Sequence, residues 1–203
     1  MTSSDSELLR LIAAGDERAF TTVYRTHQAR MYRFALLMSG STAIAEDVTQ
    51  EVFIVLMREA ARYDPSRGSL SAYLYGIARN HVLRCLDRDR SHVPIAEESD
   101  DGGTIPLTRL IAQCDPLDDL TRNEVIKSVR KAVLALPARY RDVVVLCDFQ
   151  ELSYAEAATI LGRPVGTVCS RLHRGHALLL EKLRSSGKFD SQAHRTRSVR
   201  CFA

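Results

Sequence analysis

Apolar residues recur every three or four positions along most of this chain, and no stretch alternates with period two for long enough to form a strand. The pattern predicts an all-α protein. Ser4-Asp5-Ser6-Glu7 has the form of a capping box ahead of LLRLIAA, with Gly15 placed to stop that helix. A longer helix is predicted from 16 to about 39 and another from 42 to about 63, where Val48, Val52, Val55 and Leu56 form a buried side. The segment DPSRGS at 64 to 69 reads as a loop. After it, Leu70, Leu74, Ile77, His81 and Cys85 share one helical face, which makes His81 an expected buried, hydrogen-bonded histidine. Arg79, Asn80, Leu83 and Asp87 fall outside that face.

Periodicity lapses after about residue 92. DDGGTIP and its acidic surroundings predict a flexible linker over 93–116, closed by Asp115-Pro116 as an N-cap and a first-turn proline. The helix that follows should run to Leu136 and end at Pro137. ARYRDVVVLCDFQ is predicted to be helical, because its length and its helical neighbours outweigh the strand-like VVVL. Residues 152 to 185 then read LSYAEAATILGRPVGTVCSRLHRGHALLLEKLRS. Ser153 and Glu156 form a capping box, Gly162 supplies a left-handed stop, and Pro164 precedes a second helix from about Val165. Two helices joined by about four residues form a helix-turn-helix. The expected organisation is two small helical domains, 1–92 and 117–186, joined by the acidic linker, with a basic tail at 187–203 expected to be disordered.

On the last helix Val168, Leu172, Gly175 and Leu179 occupy a narrow arc expected to face the helix before it. The opposite arc carries Ser170, His173 and Arg174, with Thr167 and Arg171 on one shoulder and Cys169 on the other. Spacing alone fits either a solvated hairpin or a DNA-reading helix, whose N-terminal donors and positive dipole end suit base edges and phosphates. A net charge of +4 over 163–184 favours DNA. Cys169, His173 and His176 stand at i, i+4 and i+7, but a structural zinc wants a fourth ligand and none is spaced to supply it, so no metal is expected.

The formal net charge of +3 conceals a segregation. Residues 93–119 hold seven carboxylates against Arg109 alone, a net of −6, which leaves +9 on the rest of the 203-residue chain. A basic body with an acidic strap fits a polyanionic partner and a way of limiting non-specific contact with it, although a solvated acidic loop fits the charge equally. No apolar run is long enough to cross a membrane and the N-terminus has no signal-peptide pattern, so a cytoplasmic protein without membrane insertion is expected. Five scattered cysteines without a C-x-x-C pair read as reduced packing residues. There is no H-E-x-x-H, P-loop or G-x-S-x-G motif, so neither a catalytic residue nor a cofactor is expected.

With these residues laid out, the chain resembles the extracytoplasmic-function (ECF) group of the bacterial sigma-70 family, the small promoter-recognition subunits of RNA polymerase. GDERAF at 15, EDVTQEVFIVL at 46, YDPSRGSLSAYLYGIARN at 63 and LSYAEAATILGRPVGTVCSRLHRG at 152 look like family motifs in the family's order. The resemblance implies a sigma factor that binds core RNA polymerase and promoter DNA, directs initiation at −35 and −10 elements, and is held by an anti-sigma factor. Asp47, Gln50 and Glu51 match its D-x-x-Q-E polymerase-binding motif. Asn80 matches a position that touches the opened −10 strand, with Arg67, Arg79, Arg84 and Arg88 supplying backbone charge. Tyr73 and Tyr75 are available to stack on bases or to fill the core. Thr167, Ser170, Arg171, His173 and Arg174 become the −35 set. Two departures remove positive charge from presumed DNA faces: Gly76 stands where the family often has Arg, and Cys169 where it often has Lys. A stand-alone helix-turn-helix regulator with a sensing or dimerising first domain shares the second half, but gives no reason for D-x-x-Q-E.

Overall fold

Local chemistry at the helix ends explains where most of the elements begin and stop. In the computed structural model of the protein, residues 2–91 and 120–185 are described, the side chains at 2–4, 67, 89–91 and 120–123 excepted. Helix α1 (Thr2–Ala13) starts earlier than its capping pattern predicts, so Ser4 lies inside it. The Glu7 carboxylate receives Arg10 Nη2 at 2.7 Å and Nε at 3.0 Å, an i,i+3 pair. Gly15, at φ +86°, turns the chain, and Asp16 caps α2 (Glu17–Ser39) by accepting from the Arg18 and Ala19 amides. Gly40 closes α2 in the left-handed region and Ser41 caps α3 (Thr42–Glu59).

A 3₁₀ turn at Ala60–Arg62 and a second at Pro65–Arg67, capped by Asp64, lead into α4 (Leu70–Ser91). The buried stripe of α4 is Leu70, Leu74, Tyr75, Ala78 and Val82; His81 and Cys85 are only half-buried, so the expected burial of His81 is corrected. This helix packs against α2 and α3 on one side and against a later helix, α7 (Tyr154–Leu161), on another, which moves its buried side by about one residue.

After the segment outside the described residues, which holds the acidic stretch and Asp115-Pro116, the chain resumes in α5 (Leu120–Leu134). Helix α6 (Ala138–Val144) runs into a π-helical turn, Val145–Phe149, rather than staying α-helical to the end of the predicted segment. Helix α7 (Tyr154–Leu161) carries the predicted capping box, and Gly162 ends it at φ +59°. Helix α8 (Val165–Ser185) completes the helix-turn-helix. The basic tail at 187–203 lies outside the described residues.

Helices α2, α3 and α4 enclose Met31, Phe34, Val48, Val52, Leu56 and Leu74, while α6 and α8 enclose Val143, Val144, Val168 and Leu172. The two helical groups also touch each other. Arg141, only 6% exposed, extends from α6 to donate Nη1 to the Met38 carbonyl of α2 at 2.8 Å, and Nη2 to the Leu134 and Leu136 carbonyls. A buried guanidinium is stable there because it ends on carbonyl oxygens left without partners at helix ends.

Candidate nucleic-acid interface

The inward arc of α8 lies where its spacing predicts: Val168 and Leu172 are buried and Gly175 is closed in. The element facing Gly175 is α6, through Tyr140 and Val144, rather than α7. Packing in that direction leaves Ser170, His173 and Arg174 exposed, with Thr167 and Arg171 half-buried beside them. Four of those five residues meet at one feature, since Thr167, Ser170, Arg171 and Arg174 line an open cleft of about 270 Å³ with Arg139 and Tyr140. His173 does not line it.

The cleft brings together three guanidinium groups, those of Arg139, Arg171 and Arg174. The Arg174 guanidinium beside the Tyr140 hydroxyl, with that of Arg139 close by, holds the phenol below its ordinary value. The Arg139 guanidinium stacks 4.9 Å from the Tyr140 ring centroid. Arg139 and Tyr140 were not among the residues expected to bind. Their signal was a cation and an aromatic side by side at the start of α6.

Cys169 is half-buried, and Cys147, lifted to about 11 by burial and by the nearby Asp148 and Cys169 charges, stays protonated. His176 is engaged by Asp148 at 2.7 Å, and no metal-holding cluster of His, Cys, Asp or Glu occurs among the described residues.

Asn80, Arg84 and Arg88 project into solvent on α4 at intervals of four residues, which places them in one continuous stripe. Arg79 does not join it. Its Nε and Nη2 donate to Asp142 Oδ2 at 3.0 and 2.7 Å, and its side chain is 20% exposed. The side chain of Arg67 lies outside the described residues. Tyr75 is 1% exposed and packs on Phe34 at 5.3 Å, so it belongs to the core, while Tyr73 is half-buried against Tyr63.

On α3, Asp47 and Gln50 are exposed and Glu51 half-buried. Asp47 Oδ2 accepts from the Cys85 thiol of α4 at 3.8 Å. Gln50 lines a cleft of about 420 Å³ between α2 and α3 together with Tyr24, Gln28, Tyr32, Arg33 and Glu46. Tyr24 is exposed at its edge and rests on Phe53, the ring centroids 4.7 Å apart.

The profile of Sigma-70 region 2 matches residues 23–92, and that of Sigma-70, region 4 matches residues 126–179. The ECF RNA polymerase sigma factor SigW of Bacillus subtilis (strain 168) is 33% identical over 181 residues, which cover 87% of this chain and 95% of SigW. The ECF RNA polymerase sigma factor SigM of Mycobacterium tuberculosis is 34% identical over 183 residues, covering 89% of this chain and 85% of SigM. The chain belongs to the ECF sigma-factor family.

In this sigma factor the region 2 match takes in α2, α3 and α4, hence both the α3 carboxylates and the α4 stripe. The region 4 match takes in the three-arginine cleft. The fold is shared with the sigma factor RpoE of Bartonella quintana, solved with the anti-sigma factor NepR: TM-score 0.62, 24% identity, covering 81% of this chain and 96% of that one. Among the described residues of the sigma factor, no helix is long and apolar enough to cross a membrane.

Proposed function

We propose that this sigma factor binds core RNA polymerase through Asp47, Gln50 and Glu51 and reads the −35 element with α8. It then uses α4 to capture the opened −10 strand. The observation that carries the reading is the three-arginine cleft at the N-terminal half of α8, where Thr167, Ser170, Arg171 and Arg174 converge with Arg139 and Tyr140. Donors placed there approach base edges while the guanidiniums and the positive end of the helix hold the flanking phosphates. His173, exposed next to Arg174, belongs to the same DNA face.

Asn80, Arg84 and Arg88 supply one polar and two cationic groups along a track for a single strand, and Arg67 and Arg79 are assigned to the same strand. The work is binding and strand capture rather than covalent chemistry, and needs neither metal nor cofactor. It takes place in the cytoplasm, where polymerase and promoter are. An anti-sigma factor is the expected inhibitory partner, by extension from the relative solved with one. The acidic segment at 93–116 joins the two DNA-binding halves, 1–92 and 117–186.

The test is reversal of the α3 charges, Asp47→Lys with Glu51→Lys and Gln50→Ala. The variant should keep its helicity by circular dichroism and lose both capture by core polymerase and run-off transcription from a genomic fragment library. Retained capture by the folded variant would sink the polymerase assignment. Selection of promoters by the parent protein that did not depend on polymerase would favour the stand-alone regulator instead.

A further inference from the structure

Helix α2 carries four arginines, Arg18, Arg25, Arg30 and Arg33, against one acidic residue, Glu17, a net of +3 that equals the net charge of the whole chain. All four are exposed, and none forms an ion pair among the described residues. Arg18, Arg25 and Arg33 follow one another at intervals of seven and eight residues along one edge of the helix, a row about 22 Å long. Arg30 lies beside the C-terminal end of that row. We propose that this face of α2 is a further DNA-contact surface of the sigma factor, which holds backbone phosphates of the promoter DNA adjoining the −10 element. The inference rests on the assignment of α4 to the −10 strand made above.

Helix stability gives no reason for these cations. The dipole favours basic residues in the last turn of a helix, where α2 has none, and opposes Arg18 in the first. No acidic residue stands three or four positions from any of the four, whereas Arg30 and Arg33 meet as like charges at i,i+3. A polyanion supplies the missing counter-charge. Steps of about 10 to 12 Å along the row match every third phosphate of a duplex strand, spaced about 3.4 Å along the axis. Each guanidinium can grip a phosphate through two hydrogen bonds. A phosphate backbone repeats along a line as these arginines do, and an acidic protein surface has no such fixed repeat. The hydroxyls of Thr21, Thr22 and Thr26 between them donate to carbonyls of α2 itself, which leaves the contact to the cations. The face also adjoins α4, against which α2 packs. Burial raises the Tyr75 phenol of α4 to about 12 against the opposing pull of Arg30 and Arg33, so both cations lie near the residue one turn before Arg79.

The experiment uses the full-length chain as holoenzyme with core polymerase, and compares the parent with Arg18→Gln/Arg25→Gln and with Arg18→Lys/Arg25→Lys. Arg33 is kept because it also lines the α2–α3 cleft with Gln50. Circular dichroism and polymerase capture come first, and both double variants should match the parent in each. Affinity is then read by anisotropy over a salt titration, on a −10 single strand alone and on the same strand extended by about ten nucleotides, upstream as duplex in one arm and downstream as single strand in the other. The Gln pair should lower the salt slope of log K by about 1.8 on the duplex extension or about 1.4 on the single-stranded one, and leave it unchanged on the unextended strand. The arm that shows the loss identifies the side of the −10 element that α2 holds. The Lys pair, which keeps the charge, should hold the parental slope throughout. Parental slopes for the Gln pair on both extended DNAs would overturn the proposal, and so would an equal loss in the Lys pair, which would make the effect structural. Loss of polymerase capture would assign the face to a protein partner and overturn it as well. Failure of the α4 assignment is read separately, as binding of the unextended strand that does not respond to Arg84→Ala or Arg88→Ala.

Discussion

A Cβ on Gly175 of α8 would stand 2.8 Å from Val144 Cγ2 of α6. Real side chains do not approach so closely, and Val144 is fully buried and β-branched, so it cannot rotate aside cheaply. Gly175→Ala would gain up to about 1 kcal/mol of helix propensity and lose about 1 to 3 kcal/mol to overpacking. The expected balance is a destabilisation of about 1 kcal/mol, visible as a lower urea midpoint. Because α8 must move off α6 to relieve the clash, −35 binding should weaken in the same variant.

Gly76 is the opposite case. It lies inside α4, and nothing stands within 4 Å of where its Cβ would be. Gly76→Ala should therefore stabilise the protein by about 0.5 to 1 kcal/mol, the ordinary penalty for glycine within a helix. Gly76→Arg should also be tolerated, and should raise affinity for a −10 oligonucleotide most at low salt. Loss of helicity in either variant would show that the space is filled by something outside the described residues.

The three arginines of the α8 cleft should separate by salt dependence. Arg139 projects from the start of α6, beside the recognition helix rather than on it. It is expected to contact phosphate alone. Arg139→Ala should weaken all −35 sequences alike and lower the salt slope of log K by about 1. If Arg171 or Arg174 reads a base, its replacement by Ala should cost about 1 to 3 kcal/mol and relax preference at one position. Three equal losses across a set of mutated −35 duplexes would assign all three to the backbone.

The helix-turn-helix was legible because its signals are local. The Ser153/Glu156 capping box, the left-handed Gly162 and the arc of Val168, Leu172 and Gly175 act within a few residues of themselves. Residues whose roles depend on distant chain were not legible. Arg141 and Asp142 read as ordinary charges in a helix, yet both are 6% exposed because their partners are Met38, the end of α5 and Arg79. Arg79 likewise read as outward-facing, since a partner 63 residues away leaves no trace in helical periodicity. Helix α4 was placed correctly but rotated slightly, because a helix packed on two sides has no single apolar stripe from which its orientation can be read.

His27 connects this packing to pH. It is buried on α2, and its Nδ1 has no hydrogen-bond partner among the described residues. Burial pushes its pKa below the usual 6.5 and the nearby Arg30 pushes the same way, against a weaker opposing pull from Asp5. In the unfolded chain the imidazole takes up a proton near its ordinary value; in the folded protein it does so only at lower pH. The unfolded state therefore binds more protons between the two values, and stability rises with pH across that window. The contribution is fully present above the unfolded value and is lost as pH falls from there toward the folded one. Urea midpoints at about pH 7.5 and about pH 5.5 should differ more in the parent than in His27→Gln, which cannot titrate. Other histidines contribute equally to both proteins, so the difference isolates His27, and equal pH sensitivity in the two would remove it from the account.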